Sequence, residues 1–128
     1  MKKNQIKYEM SDSENKIMEY LWNNDQGKYF NEIMEYLNVT YQKDWKKQTV
    51  NTFLKRLADK GLISSQSNGN SKIYYPAMSL EEYKKGEAKS FLEEFYHGSV
   101  YTFLSALSGG KKIDEKTAEK LREMLEEE

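Results

Sequence analysis

The sequence predicts a mainly α-helical fold of the α+β class, in which a winged helix-turn-helix is followed by a region of three helices. Three observations support this prediction. Apolar side chains recur at helical spacing in successive segments of the chain. An Asn-Gly pair lies between two β-prone runs, directly after the third of these segments. Beyond the single proline, Pro76, the pattern is helical.

The first helix is predicted from its cap and its apolar face. Residues 11–14 (Ser-Asp-Ser-Glu) form a capping box, in which Ser11 accepts a hydrogen bond from the amide of Glu14 and the Glu14 carboxylate accepts one from the amide of Ser11. One face of the helix then holds four apolar residues, Ile17, Met18, Leu21 and Trp22. Residues 23–27 favour a turn that ends this helix.

The second and third helices follow a short extended piece at residues 28–30. Asn31 is predicted to cap the second helix, which has an apolar face of Ile33, Met34 and Leu37. The third helix is predicted from about residue 46 to residue 60, and Gly61 stands in the usual C-terminal position. Its apolar side chains, at spacing i, i+3, i+4 and i+7, are Val50, Phe53, Leu54 and Leu57.

A β-hairpin is predicted after the third helix. Residues 62–67 and 71–75 are its strands, and residues 68–70 (Asn-Gly-Asn) join them, because Asn and Gly tolerate the positive φ of a tight turn. The order helix, short strand, helix, helix, hairpin is that of a winged helix-turn-helix. Residues 1–77 are therefore predicted to be one domain.

Residues 78–128 are predicted to be a second, helical domain. Helices are expected at residues 80–96, after Ser99, and after a cap at Asp114. Three short amphipathic helices of about 50 residues make a poor independent core, so a second copy of the chain is the expected partner. The residues expected at the dimer contact are Phe91, Phe95, Val100, Phe103, Leu104, Leu107, Leu121 and Leu125.

The formal net charge of −1 is divided unevenly between these halves. Residues 1–77 hold 12 Lys and Arg against 9 Asp and Glu, and residues 78–128 hold 8 against 12. The first half is therefore basic and the second acidic, which favours a basic working surface on the first.

Composition excludes several classes of function. The chain has no cysteine, so a disulfide framework, a zinc finger or a thiol catalyst cannot form. No apolar run approaches the roughly 20 residues that span a bilayer, so a cytoplasmic protein without membrane insertion is expected. The single histidine, His97, has no catalytic motif around it, and no Gly-rich phosphate loop or calcium loop is present. The chain is therefore expected to be no enzyme and to hold no metal or cofactor.

The polar face of the third helix has the composition of a surface that binds double-stranded DNA. A single helix fits the major groove, where Gln, Asn, Arg, Lys and Thr contact base edges, whereas lysines at the helix start suit phosphates. Lys72, beside the hairpin tip, would meet the DNA backbone or the minor groove. The residues expected to bind DNA are Lys46, Lys47, Gln48, Thr49, Asn51, Thr52, Lys55, Arg56 and Lys72.

The order of these motifs resembles the penicillinase repressor family (BlaI/MecI/CopY). The resemblance covers about residues 9 to 126. Besides Trp45, it rests on residues 11–14 (SDSE), 18–22 (MEYLW), 31–33 (NEI), 49–57 (TVNTFLKRL), 60–63 (KGLI), 74–76 (YYP), 82–83 (EY), 98–100 (GSV) and 121–125 (LREML). It implies a homodimeric repressor in which an N-terminal winged helix binds a palindromic operator and C-terminal helices make the dimer.

The same resemblance bears on how such a repressor is released. Copper-responsive members carry a C-terminal cysteine pair, which this chain lacks. Members that respond to β-lactams are cut at an Asn-Phe bond, and Ala106 and Leu107 stand there, which counts against a cleavage switch of that kind. A sensor or protease partner is unknown. Lys46 stands where many relatives have a helix-capping Ser or Thr, so the third helix could be capped by Asp44 or frayed at its start.

Two other functions remain open from the residues alone. A winged helix can serve as a protein–protein adaptor without binding DNA, since fold does not fix function. A regulator that responds to a small molecule is the other alternative. The polar and basic third helix favours DNA, because a docking surface would favour exposed aromatic residues.

Overall fold

The computed structural model of the protein describes residues 9–24 and 26–126. Asp25, in the predicted turn, lies outside these residues, as do residues 1–8 and 127–128. The helices are α1 (Asp12–Trp22), α2 (Phe30–Thr40), α3 (Lys47–Asp59), α4 (Leu80–Tyr96), α5 (Val100–Ser108) and α6 (Glu115–Glu126). The strands are β1 (Lys28–Tyr29), β2 (Ile63–Asn68) and β3 (Ser71–Pro76), in the antiparallel order β1-β3-β2. This order confirms the predicted winged helix-turn-helix.

The chain divides into a compact unit that ends at Ala88 and a second unit that begins at Lys89. The division differs from the domain boundary predicted between residues 77 and 78. The indole of Trp22 donates a hydrogen bond to the carbonyl of Met78 over 3.0 Å, and its ring lies 5.2 Å from the ring of Tyr83. These contacts attach the start of α4 to the first unit. No sequence pattern in residues 77–88 predicts them.

One continuous core holds the first unit together. The α1 helix contributes Ile17, Met18 and Leu21; α2 contributes Ile33 and Leu37; α3 contributes Val50, Leu54 and Leu57; Leu62 and Ile63 complete it. Each of these helices buries the apolar face that its 3.6-residue spacing predicts. Because α3 buries one face in this core, its opposite, polar face is directed to solvent.

The start of α1 is fixed by the predicted capping box and by one contact that the sequence did not predict. The Ser11 hydroxyl accepts from the Glu14 amide over 3.2 Å, and the Glu14 carboxylate accepts from the Ser11 amide over 3.1 Å. Glu14 is buried, and its carboxylate also lies 2.5 Å from the ammonium of Lys60, the residue that follows α3. This ion pair links the start of α1 to the end of α3.

The predicted cap of α2 is wrong. Asn31 was expected to precede the helix, but the helix begins at Phe30, and Tyr29 is the N-terminal cap. The Glu32 carboxylate accepts a hydrogen bond from the Tyr29 amide over 2.8 Å. Pairing of Lys28 and Tyr29 with β3 sets this start, because β1 leads into α2 without an intervening loop.

The hairpin that forms the wing is tighter than predicted. Pairing runs from Ile63 opposite Pro76 to Asn68 opposite Ser71, so Asn68 belongs to β2 and residues 69–70 alone form the turn. On the other edge of β3, the chain approaches closely at Gly27, whose φ is +79°. A Cβ atom there would lie 2.6 Å from Cε1 of Tyr75, so only glycine fits.

The second unit has caps but no buried core. Ser99 caps α5 by accepting from the Thr102 amide over 3.0 Å. Asp114 caps α6, as predicted, by accepting from the Thr117 amide over 2.8 Å. The rings of Phe91, Tyr96 and Phe103 contact one another. Among residues 89–125, however, none is buried.

No helix in the described part of the chain combines the length and the apolar character needed to cross a bilayer.

Candidate nucleic-acid interface

The polar surface of α3 consists of six exposed side chains, which we call the α3 face: Lys47, Gln48, Asn51, Thr52, Lys55 and Arg56. They lie opposite the buried residues Val50, Leu54 and Leu57. All six belong to the predicted DNA-binding set. Thr49, also in that set, is only half-exposed because it lies at the edge of the buried side of the helix.

The segment before α3 is fixed by Asn38, a residue that no sequence pattern singled out. The Asn38 side chain at the end of α2 accepts from the Trp45 amide over 2.9 Å and donates to the Trp45 carbonyl over 3.1 Å. The Trp45 ring packs edge-on against Phe53 of α3, with 5.1 Å between centroids. Asn38 thereby fixes the turn between α2 and α3. This turn sets the direction of the α3 axis.

The N-terminus of α3 has no side-chain cap. Lys46 is the N-terminal cap residue, and its side chain accepts no hydrogen bond from the helix. Asp44 does not cap the helix either; it lies 3.4 Å from the Lys46 ammonium instead. Among the residues that the structure describes, no side chain therefore accepts from the first amides of α3, and an anion is favoured at such a helix end.

We predict that Lys46→Ser raises the free energy of unfolding by about 1 kcal/mol, because a serine at this position accepts from the amide of Thr49. Urea denaturation followed by circular dichroism measures this change. Lys46→Ala is the matched control, since it removes the same charge and adds no acceptor. Equal stabilities of the serine and alanine variants would contradict the open cap.

Two side chains of the α3 face already make contacts on their own helix. The Thr52 hydroxyl donates to the Gln48 carbonyl over 3.0 Å, so Thr52 presents mainly its methyl group. The Lys55 ammonium lies 3.7 Å from the carboxylate of Asp59, one turn later. In contrast, Lys47, Arg56 and Lys72 make no ion pair with any residue that the structure describes.

A groove of about 420 Å³, which we call the wing groove, separates α3 from the hairpin. Its polar lining comes from Asn51, Lys55 and Asp59 of α3, Ser64 and Ser65 of β2, and Lys72 and Tyr74 of β3. Burial raises the pKa of Tyr74, which further favours the protonated hydroxyl, a hydrogen-bond donor. The groove thus brings Lys72 to the same cavity as Asn51 and Lys55, whereas Lys46, Lys47 and Gln48 lie at the other end of α3.

The two serines and Asp59 are lining residues that the sequence prediction missed. The serines have no signal of their own, because every residue of β2 after Ile63 is exposed. Asp59 could have been found, since residues four apart on a predicted helix, such as Lys55 and Asp59, are neighbours on its surface. Residues 9–24 and 26–126 contain no group of three or more His, Cys, Asp or Glu side chains that could hold a metal ion.

The eight predicted dimer residues all lie in the second unit. Val100, Phe95 and Phe91 are exposed, as are Leu107, at 71% of its surface, and Leu125. Phe103, Leu104 and Leu121 are half-buried. All eight of these apolar side chains are thus exposed or half-buried in the single chain.

Comparison with known proteins gives one family. The model of the family described as penicillinase repressor matches residues 10–127. The penicillinase repressor of Bacillus licheniformis is 26% identical over 119 residues, which are 93% of this chain and 91% of that protein. The methicillin resistance regulatory protein MecI of Staphylococcus aureus (strain N315) is also 26% identical, over 92% of this chain and 94% of its own length.

A solved structure is similar as well. The solution structure of the DNA-binding domain of the repressor BlaI matches with a TM-score of 0.52 and 29% sequence identity. The match covers 65% of this chain and 94% of that domain. Its coverage of nearly the whole domain agrees with the presence of a winged helix-turn-helix in this chain.

Proposed function

The chain belongs to the penicillinase repressor family, and we propose that it represses transcription by binding a palindromic operator as a homodimer. Membership makes it a DNA-binding repressor. The two-fold operator, the residues that contact it and the dimer are the further content of the proposal. Repression follows from steric exclusion of polymerase, without catalysis, and takes place in the cytoplasm.

The observation that carries the proposal is the α3 face. It presents amide, hydroxyl and cationic side chains on one exposed surface, and no aromatic residue is among its six members. Gln48 and Asn51 can each bond two groups of one base edge, and the methyl of Thr52 can contact a thymine methyl. These residues near the start of the helix would specify sequence.

Cations around the α3 face would position the protein on the DNA backbone. One phosphate group would bind to Lys46, Lys47 and the uncapped amides of α3, because the helix end favours an anion. Arg56 is exposed and, within the described chain, has no carboxylate partner that a phosphate would have to displace. Lys72 offers a further cation on the opposite wall of the wing groove.

The dimer is supported by the second unit. Leu107, Phe95 and Leu125 are among the large apolar residues exposed there, and residues 89–125 contain no buried side chain. Helices of this kind gain stability only when another apolar surface covers them. A second copy is the partner of choice, since a two-fold dimer matches a palindromic operator and places two α3 helices about one helical turn of DNA apart, or a multiple of it.

We predict that Arg56→Ala and Lys47→Ala each weaken operator binding by about five- to tenfold, because each removes a cation that contacts a phosphate. The operator here is the tightest sequence recovered by the full-length chain from a pool of random duplexes. Fluorescence anisotropy measures the affinity.

Lys84→Ala provides the matched control, since it removes one exposed cation from α4 and leaves α3 and the hairpin unchanged. An equal, small loss in all three variants would show that only net charge matters. No loss for Arg56→Ala or Lys47→Ala would reject the α3 face as the operator contact.

A further inference from the structure

Asp59 is a carboxylate in a surface that is otherwise suited to an anion. Of the residues that line the wing groove in the described chain, it alone is negatively charged, and Lys55 and Lys72 line the same groove. Its carboxylate lies 3.7 Å from the Lys55 ammonium. Lys55 therefore has a partner within its own helix before any DNA arrives.

Helix stability does not explain this pair. An acid four residues after a lysine is the less favourable order on a helix, and a carboxylate in the last turn opposes the helix dipole. The same two residue types occur in α1 in the favourable order, where Asp12 in the first turn pairs with Lys16. The Lys55 and Asp59 side chains are also 77% and 67% exposed, so their pair stabilises the fold little.

We propose that Asp59 is an internal competitor of DNA: its carboxylate occupies Lys55, and a phosphate must displace it before Lys55 can contact the backbone. This inference rests on the proposed function and concerns its regulation. The competition lowers affinity for every duplex, whatever its sequence, because a phosphate contact is independent of sequence. Asp59 thereby limits how tightly the repressor is held by DNA in general.

The test is the affinity of the full chain for a duplex of about 30 base pairs of random sequence, which is long enough for two half-sites. We expect Asp59→Asn to raise this affinity about three- to fivefold, the effect of releasing one exposed ion pair in each chain of the dimer. The salt dependence should also become steeper, since one more phosphate contact in each chain releases its counterion.

Asp12→Asn is the matched control, because it removes the same charge and breaks the same type of i, i+4 pair outside the wing groove. An equal gain in both variants would overturn the inference, since net charge would then suffice. If the wild-type chain binds no duplex at all, the proposed function itself fails. If it binds DNA and Asp59→Asn has no effect, only the role of Asp59 fails.

A double-mutant cycle isolates Lys55 as the group for which Asp59 competes. In a Lys55→Ala background, Asp59→Asn should raise affinity no more than Asp12→Asn does, because the contested cation is gone. A full three- to fivefold gain in that background would overturn the competition, since the carboxylate would then act on phosphates directly. Circular dichroism of each variant confirms that the helices are retained.

Discussion

A chain that carries both Leu104→Asp and Leu107→Asp is expected to sediment as a monomer and to bind its operator at least about 100-fold more weakly than the wild type. The two residues lie on one side of α5, three positions apart, and belong to the predicted dimer contact. Two carboxylates per chain would bring four charges into an apolar interface. Since burial of unpaired charge is costly, the dimer should not form.

The loss of affinity follows from the loss of the second half-site. In a dimer, binding of one α3 helix holds the other near its own half-site, so the second contact forms at high effective concentration. A monomer has only one set of phosphate and base contacts. Sedimentation velocity measures the oligomeric state, and fluorescence anisotropy measures the operator affinity.

The matched control is Thr102→Asp with Ala106→Asp, which adds the same charge to the opposite, exposed side of α5. This variant should remain a dimer. Because Leu107 is already 71% exposed and Leu104 is half-buried, the aspartates remove little packing within the chain. An intact dimer of the Leu104 and Leu107 variant would place the interface elsewhere, and normal operator binding by a monomer would remove the need for a dimer.

Replacing Gly27 by alanine is expected to lower the free energy of unfolding of the first unit by about 3 kcal/mol, with contributions from a strained backbone and an overfilled site. Gly27 has a φ of +79°, and the added Cβ would lie 2.6 Å from Cε1 and 2.9 Å from Cδ1 of Tyr75. The Cγ1 atom of Ile73, at 3.0 Å, limits the movement of the new methyl group on another side. Urea denaturation measures the loss.

Gly61→Ala separates the two contributions. Gly61 has nearly the same φ, +78°, but a Cβ there would have no neighbour within 4 Å among the described residues. It should therefore lose only the backbone contribution, about 1 kcal/mol. Equal losses at the two glycines would mean that Tyr75 and Ile73 move aside freely, and that β3 does not hold the chain at Gly27.

The local elements of the fold could be predicted from the sequence because their signals are local. The capping box at Ser11 and Glu14, the apolar spacing of α3 and the cap at Asp114 each involve residues within a few positions of one another. Asn31 misled the prediction for the same reason. It is a good cap by residue type, but the pairing of β1 with β3, more than 40 residues away in sequence, starts α2 earlier.

Contacts between distant residues could not be predicted. The pair of Glu14 with Lys60 joins residues 46 positions apart, and the Trp22 indole reaches the Met78 carbonyl over 56 positions. The second contact also joins the segment before α4 to the first unit, which ends at Ala88. The polar residues of the α3 face were predictable from helical spacing, whereas the roles of Asn38 and Asp59 depend on which surfaces the fold brings together.

The most direct test of operator binding through the α3 face is the salt dependence of that binding by the full-length chain. Fluorescence anisotropy titrations between about 50 and 200 mM salt give the slope of log affinity against log salt concentration. Lys46 and Lys47 share one phosphate, and Arg56 and Lys72 meet one each, so two chains predict a slope of about −5, together with a clear preference over random duplex. A flat dependence, or no binding to either duplex at 50 mM salt, would contradict a DNA-binding role for this face and favour a protein–protein adaptor.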